Sequence, residues 1–137
     1  MFFYFLTHLT YASPQTSLGS NPVVCAAGSN SSTLFTAPSD QRIIISDVIL
    51  SAVGNSGNSS SCTAHVQLTL SSGAVIGDFR LSADLYDAHA VGGQHTPSNI
   101  SHSFRAGLPI PQSQSASINI SGSCTVSYTI SGFYVQP

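Results

Sequence analysis

The chain has 137 residues, enough for one domain with a core of its own. Only 6% are charged, three basic and five acidic, where an ordinary soluble domain has about a quarter; neither Lys nor Glu occurs. That leaves little from which to build the polar face of an amphipathic helix, and three scattered arginines supply neither a nucleic-acid footprint nor a polybasic membrane patch.

The chain opens on an apolar stretch, Met1-Phe2-Phe3-Tyr4-Phe5-Leu6-Thr7-His8-Leu9-Thr10-Tyr11-Ala12. Three readings stand side by side: the tail of a secretion signal, an apolar first strand, or a segment that docks in a neighbouring subunit. Residues 1–21 therefore count as signal remnant, docking strand or lead-in, and residues 22–137 as a single β-sandwich domain. No stretch reaches the roughly 20 apolar residues of a spanning helix, so no membrane span is expected.

Pro22 to Ala27 and Thr33 to Thr36 read as short strands, the second closed by the turn Ala37-Pro38-Ser39-Asp40-Gln41. Arg42 to Val53 is the most apolar run, and its unbroken β-branched character predicts a central strand covered on both faces for part of its length. Gly54 to Ser61 is loop by composition. Cys62 to Leu70 alternates cleanly, with Cys62, Ala64, Val66, Leu68 and Leu70 on one face. Ala74 to Leu81 comes after the Ser71-Ser72-Gly73 turn. Ser82 to Ser98 is irregular. Ile100 to Ala106 is a strand, and Pro109 and Pro111 confine the Gly107–Pro111 piece to a sheet edge or a loop. Ser115 to Ile120, a Ser121-Gly122-Ser123 turn and Cys124 to Val135 read as a closing hairpin. About eight strands with regular turn signals predict an all-β, antiparallel, jelly-roll-like sandwich.

Three cysteines fit no zinc spacing. If the strand from Arg42 pairs antiparallel with the C-terminal strand, Val53 lies near Cys124 and the 54–61 loop returns Cys62 to the same end. The expected disulfide is Cys62–Cys124, leaving Cys25 free. Asn30, Asn58, Asn99 and Asn119 head glycosylation sequons, used only if the host glycosylates.

Chemistry-bearing groups are few. Asp84, Asp87, His89, His95 and His102 gather in the irregular middle section, but the His spacing fixes no ligand geometry and no Glu completes a cupin-type metal set. No metal and no other cofactor is expected. No Gly-x-Ser-x-Gly elbow occurs, and Asp84 and Asp87 are too close in sequence to flank a glycosidic bond. The expectation is a protein that is not an enzyme, with no catalytic residues. For ligand binding, Asp84, Tyr86, Asp87, Asn99 and Arg105 form the one grouping that offers an aromatic platform with polar readers, although a half-buried strand tyrosine is the commoner role for Tyr86.

The order of Leu34-Phe35-Thr36-Ala37-Pro38, a turn, Arg42-Ile43-Ile44-Ile45-Ser46-Asp47-Val48, and the terminal Val126-Ser127-Tyr128-Thr129-Ile130-Ser131-Gly132-Phe133-Tyr134-Val135 resembles a group of uncharacterised bacterial secreted jelly-roll domains. Those carry a Val-Pro-Ala-Gly-type turn, an apolar strand and a closing strand ending Ser-Gly-Tyr. The likeness covers Leu34 to Val135 and departs at the first turn, where Ser39-Asp40 stands for Ala-Gly. It implies a jelly-roll-like sandwich and secretion, and no activity.

The expectation is then a secreted or cell-surface structural or adhesive module that self-associates, with a low-charge surface lacking the lysines that block edge-to-edge pairing. Strand addition by the N-terminal segment would build fibres or a surface layer. The alternative is a glycan-binding, lectin-like domain using residues 82–105 to hold a surface glycan.

Overall fold

A computed structural model describes residues 23–54, 61–83, 85–86, 94–95 and 98–136. Ten strands occur among them: β1 (Val23–Gly28), β2 (Ser32–Thr36), β3 (Arg42–Val53), β4 (Cys62–Leu70), β5 (Val75–Ala83), β6 (Leu85–Tyr86), β7 (Gln94–His95), β8 (Ser98–Ile110), β9 (Ser115–Gly122) and β10 (Thr125–Val135). Eight of these build two four-stranded antiparallel sheets, ordered β1-β10-β3-β8 and β2-β9-β4-β5, while β6 and β7 pair only with each other. Among the eight, only β4 and β5 are both consecutive and neighbours in one sheet. Every other link crosses between the sheets, and that interleaving makes the sandwich a jelly roll.

The strand pattern explains the layering. In β4, Cys62, Ala64, Val66 and Leu68 are buried, whereas Thr63, His65, Gln67 and Thr69 stay out of the core. These inward residues meet Ile43, Ile45, Val48, Leu50, Ile118 and Ile130 from the other strands. No polar side chain is buried among the described residues. The exception to a purely apolar interior is at its margin, where the Tyr128 hydroxyl reaches Ser32 Oγ at 2.8 Å.

Strand β3 does pair with β10 as the sequence suggests, with Val53 opposite Thr125 beside Cys124. Its continuous apolar run has a different cause from the one expected. Ile43 and Ile45 face inward, and so do Val48, Leu50 and Ala52, because Ser46 is an extra residue relative to the β10 ladder and reverses the alternation. The outer-facing Ile49 is 49% exposed, so no second layer covers it among the described residues. On both flanks of this bulge the neighbour is a glycine. A Cβ at Gly132 would collide with the Ile44 carbonyl oxygen, and one at Gly107, which has φ of 68°, would collide with the Ile44 side chain.

Two further expectations are corrected. Strands β9 and β10 are not a hairpin: they lie in different sheets, and the Ser123-Cys124 link carries the chain across. Strand β8 runs on through Pro109 to Ile110 rather than stopping at Ala106, so the Gly107–Ile110 piece takes the sheet edge, one of the two places the prolines allow.

Candidate functional site

Of the residues singled out for ligand binding, Asn99 and Arg105 are described with their side chains. Asp84 and Asp87 lie outside the described residues, as do His89 and the sequon residue Asn58. Tyr86 belongs to β6, where its backbone pairs with Gln94. Asn99 and Arg105 are both exposed on β8, but roughly 20 Å of strand lies between them, too far for one small ligand. His102 is also exposed on β8 and sets its ring edge-on to Phe104, with centroids 4.5 Å apart. Of the other sequon residues, Asn30 is exposed between β1 and β2, and Asn119 on β9 donates from Nδ2 to Thr69 Oγ1 at 2.9 Å. Among the described residues no group of three or more His, Cys, Asp or Glu converges, and no helix is long and apolar enough to cross a membrane.

What the structure does bring together is on the outer face of the β2-β9-β4-β5 sheet. The β4–β5 register sets His65 opposite Arg80 and Gln67 opposite Asp78. His65 Nε2 lies 2.9 Å from Asp78 Oδ1, and Gln67 Nε2 donates to Asp78 Oδ2 at 3.0 Å. The hydrogen bond from Gln67, then that from His65, holds the Asp78 carboxyl below its ordinary value. Beside this set is a shallow hollow of about 340 Å³, lined by the hydroxyls of Thr63, Ser82 and Ser121 and by Arg80 and His65. Sequence reasoning passed over these residues because it looked for clusters along the chain. The available signal was the two-residue spacing of His65 and Gln67, and of Asp78 and Arg80, on adjacent strands of a tight hairpin.

No family model and no curated protein matches the chain. Its likenesses are to solved structures. The VP2 subviral particle of infectious bursal disease virus is 14% identical at a TM-score of 0.31, over 82% of this chain and 30% of that one. The structure of the Gx strain of the same virus is 17% identical at a TM-score of 0.28, over 85% of this chain and 30% of that one. The chain thus spans less than a third of the length of either.

The other sheet presents a different surface. On its outer face Asp47 of β3 accepts hydrogen bonds from Ser103 of β8 at 2.6 Å, from Ser46 at 2.7 Å and from Ser131 of β10 at 3.2 Å. Ser103 foremost, then Ser46, lower the Asp47 pKa; burial opposes them, and Ser131 adds the least. Cys25 of β1 is opposite Ser131 in the ladder; its thiol is free and exposed.

The four sheet edges differ in how they are protected. Strand β5 carries Asp78 and Arg80; β8 carries Arg105, Pro109 and the irregular Phe104–Gly107 stretch. Strand β2 is only five residues long and its ladder slips between Thr33 and Phe35. Strand β1, at six residues, is nearly as short as β2 but has none of the other features. Its sequence Val-Val-Cys-Ala-Ala-Gly contains no charge and no proline, its register with β10 is unbroken, and Val23 is 68% exposed. Charge, proline and bulges are the devices that stop an edge from pairing with another chain, so β1 is the open edge among the described residues.

Proposed function

We propose that the chain is a non-enzymatic structural module that works outside the cell and assembles by strand addition, the open edge of β1 receiving the apolar segment Phe2–Tyr11 of a second copy. The observation that carries this reading is the contrast between β1 and the three protected edges. An unpaired strand edge presents main-chain donors and acceptors, and an added strand satisfies them. The segment suits the role by composition: it is rich in Phe, Tyr, Leu and Thr, and it contains no Pro, Gly, Asp or Arg.

The Cys62–Cys124 disulfide supports an oxidising compartment, since such bonds form and persist in secreted and surface proteins. A chain with 6% charged residues and an abundance of Ser, Thr and Asn suits a repeated contact between copies better than a freely diffusing monomer, which usually keeps clear of self-association through charge. On this reading the product is a fibre or a surface layer, and the likeness to bacterial secreted jelly-roll domains reflects a shared secreted setting.

Light-scattering size analysis of three proteins tests it: the full chain, a form lacking residues 1–12, and the full chain with Ala27→Lys. Ala27 is exposed on β1, so the lysine charges the edge without entering the core. The expected outcome is large assemblies for the full chain and monomers for both variants. A full chain that stays monomeric at all concentrations overturns the proposal, as does assembly that survives both changes.

A further inference from the structure

We infer that the hollow beside Arg80, on the outer face of the β2-β9-β4-β5 sheet, binds a small oxyanion, a carboxylate or sulfate, either free or carried on a sugar. The inference is independent of strand addition at β1, which lies in the other sheet.

Arg80 is the starting point. A guanidinium offers five N–H donors in a planar fork that matches a carboxylate or sulfate. Its natural partner would be Asp78 on the same strand and face. Both oxygens of that carboxylate are already engaged, Oδ1 with His65 at 2.9 Å and Oδ2 with Gln67 at 3.0 Å. The sole ion pair among the described residues is His65–Asp78. Arg80 is thus exposed and makes no hydrogen bond or close ion pair among the described residues; its charge is felt by Asp78 only at longer range.

The surroundings select the ligand. Asp78 would repel an anion, but it stands on one side of Arg80 and the hollow lies on the other, toward Ser82 and Thr63, which face each other in the ladder. Ser121, His65 and Arg80 form one row across β9, β4 and β5. Among the described residues the hollow offers three hydroxyls and one cation, and no aromatic ring other than the His65 imidazole. Among the described residues a neutral sugar finds no Trp, Tyr or Phe face to stack on, so the charge of Arg80 anchors what enters, and the hydroxyls can then read a polyol attached to the anion.

The site is also held in place before a ligand arrives. The Thr63 carbonyl accepts the Ser123 N–H at 2.8 Å and the Cys124 N–H at 3.3 Å, and the Thr63 N–H donates to Ser123 Oγ at 3.2 Å. Cys62 and Cys124, the residues next to these, are the disulfide. One wall is thereby fixed to both sheets, which lowers the ordering cost of binding.

Isothermal titration calorimetry of the full chain with glucuronate, acetate, sulfate and glucose, at low ionic strength, tests the inference. Expected is binding of glucuronate in the millimolar range, no binding of glucose, and a loss of about tenfold or more in Arg80→Gln, as befits removal of a charge-assisted contact. Arg105→Gln, on the other sheet, leaves binding intact and controls for a general loss of positive charge. If acetate or sulfate binds as well as glucuronate, the site takes the free anion; if glucuronate binds better, it takes the sugar-borne one. Both results support an oxyanion site. Absence of heat with every anion, equal binding of glucose, or unchanged binding in Arg80→Gln overturns it. Arg80 is exposed, so its substitution leaves the fold in place.

Discussion

A carboxylate on the outside of a sheet ordinarily takes its solvation from water, whereas Asp47 takes much of it from Ser103, Ser46 and Ser131. These hydroxyls favour the ionised form, so the folded-state pKa falls below the ordinary 3.8. A depressed carboxyl pKa adds stability above the unfolded-state value, and that contribution is lost as pH falls through the folded-state one. Asp47→Asn should therefore lower the urea midpoint at about pH 6, and its deficit relative to the native chain should shrink in acid, as pH falls below 3.8 and through the folded-state value. A deficit of equal size under both conditions would show that the serines order the backbone without sensing the charge. Tyr128 works differently: its ring fills the core margin and its single polar atom is matched to Ser32, a contact far apart in sequence that ties β10 to β2 of the opposite sheet.

At the scale of the strand, the bounds of β3 and β4 were legible because each is written in one unambiguous code, a β-branched run and a strict alternation. The code does not state which sheet a strand joins. Ser121-Gly122-Ser123 has hairpin composition, yet the chain turns from one sheet to the other there, and nothing local distinguishes the two outcomes. The prolines of β8 did narrow its place to a sheet edge or a loop, and the edge is where it lies; they left open whether the strand continues past Ala106. The β3 bulge did leave a local mark, the adjacent polar pair Ser46-Asp47 inside the apolar run, but two polar neighbours do not say which of them is the extra residue. A second mark is remote, in Gly107 and Gly132, which give the Ile44–Ile45 backbone beside the bulge room to pass. Gly132→Ala drives a methyl group into the Ile44 carbonyl, with no flexible side chain to yield. The expected cost is about 1–3 kcal/mol, read from chemical denaturation. A variant as stable as the parent would mean that the β3–β10 ladder shifts to absorb the methyl, which hydrogen exchange along β10 would report. The candidate site at Arg80 was missed for the same reason as the sheet assignment. It requires the register between β4 and β5, whereas the sequence displayed Asp84 and Asp87 as the more conspicuous pair.

For the whole molecule, the jelly-roll order makes most strand neighbours distant in sequence, so the unfolded chain must close long loops before any sheet forms. The Cys62–Cys124 bond spans a sequence separation of 62 and joins the first residue of β4 to the crossing between β9 and β10. Constraining a loop of that size in the unfolded state is worth about 4 kcal/mol on the chain-entropy account. A domain of this size has a total stability of about 5–15 kcal/mol, so the bond is a large share of it. The double variant Cys62→Ser with Cys124→Ser should unfold at lower denaturant by that amount, and reductant should destabilise the native chain to the same level while leaving the variant unchanged. Thiol titration fixes the pairing that this rests on. Under non-reducing denaturing conditions one of the three cysteines should react, and peptide mapping should place the label on Cys25. A label on Cys62 or Cys124 would transfer the link to β1 and remove the reason for the β4 strand to be anchored at the sheet crossing, and with it the rigid wall beside Arg80.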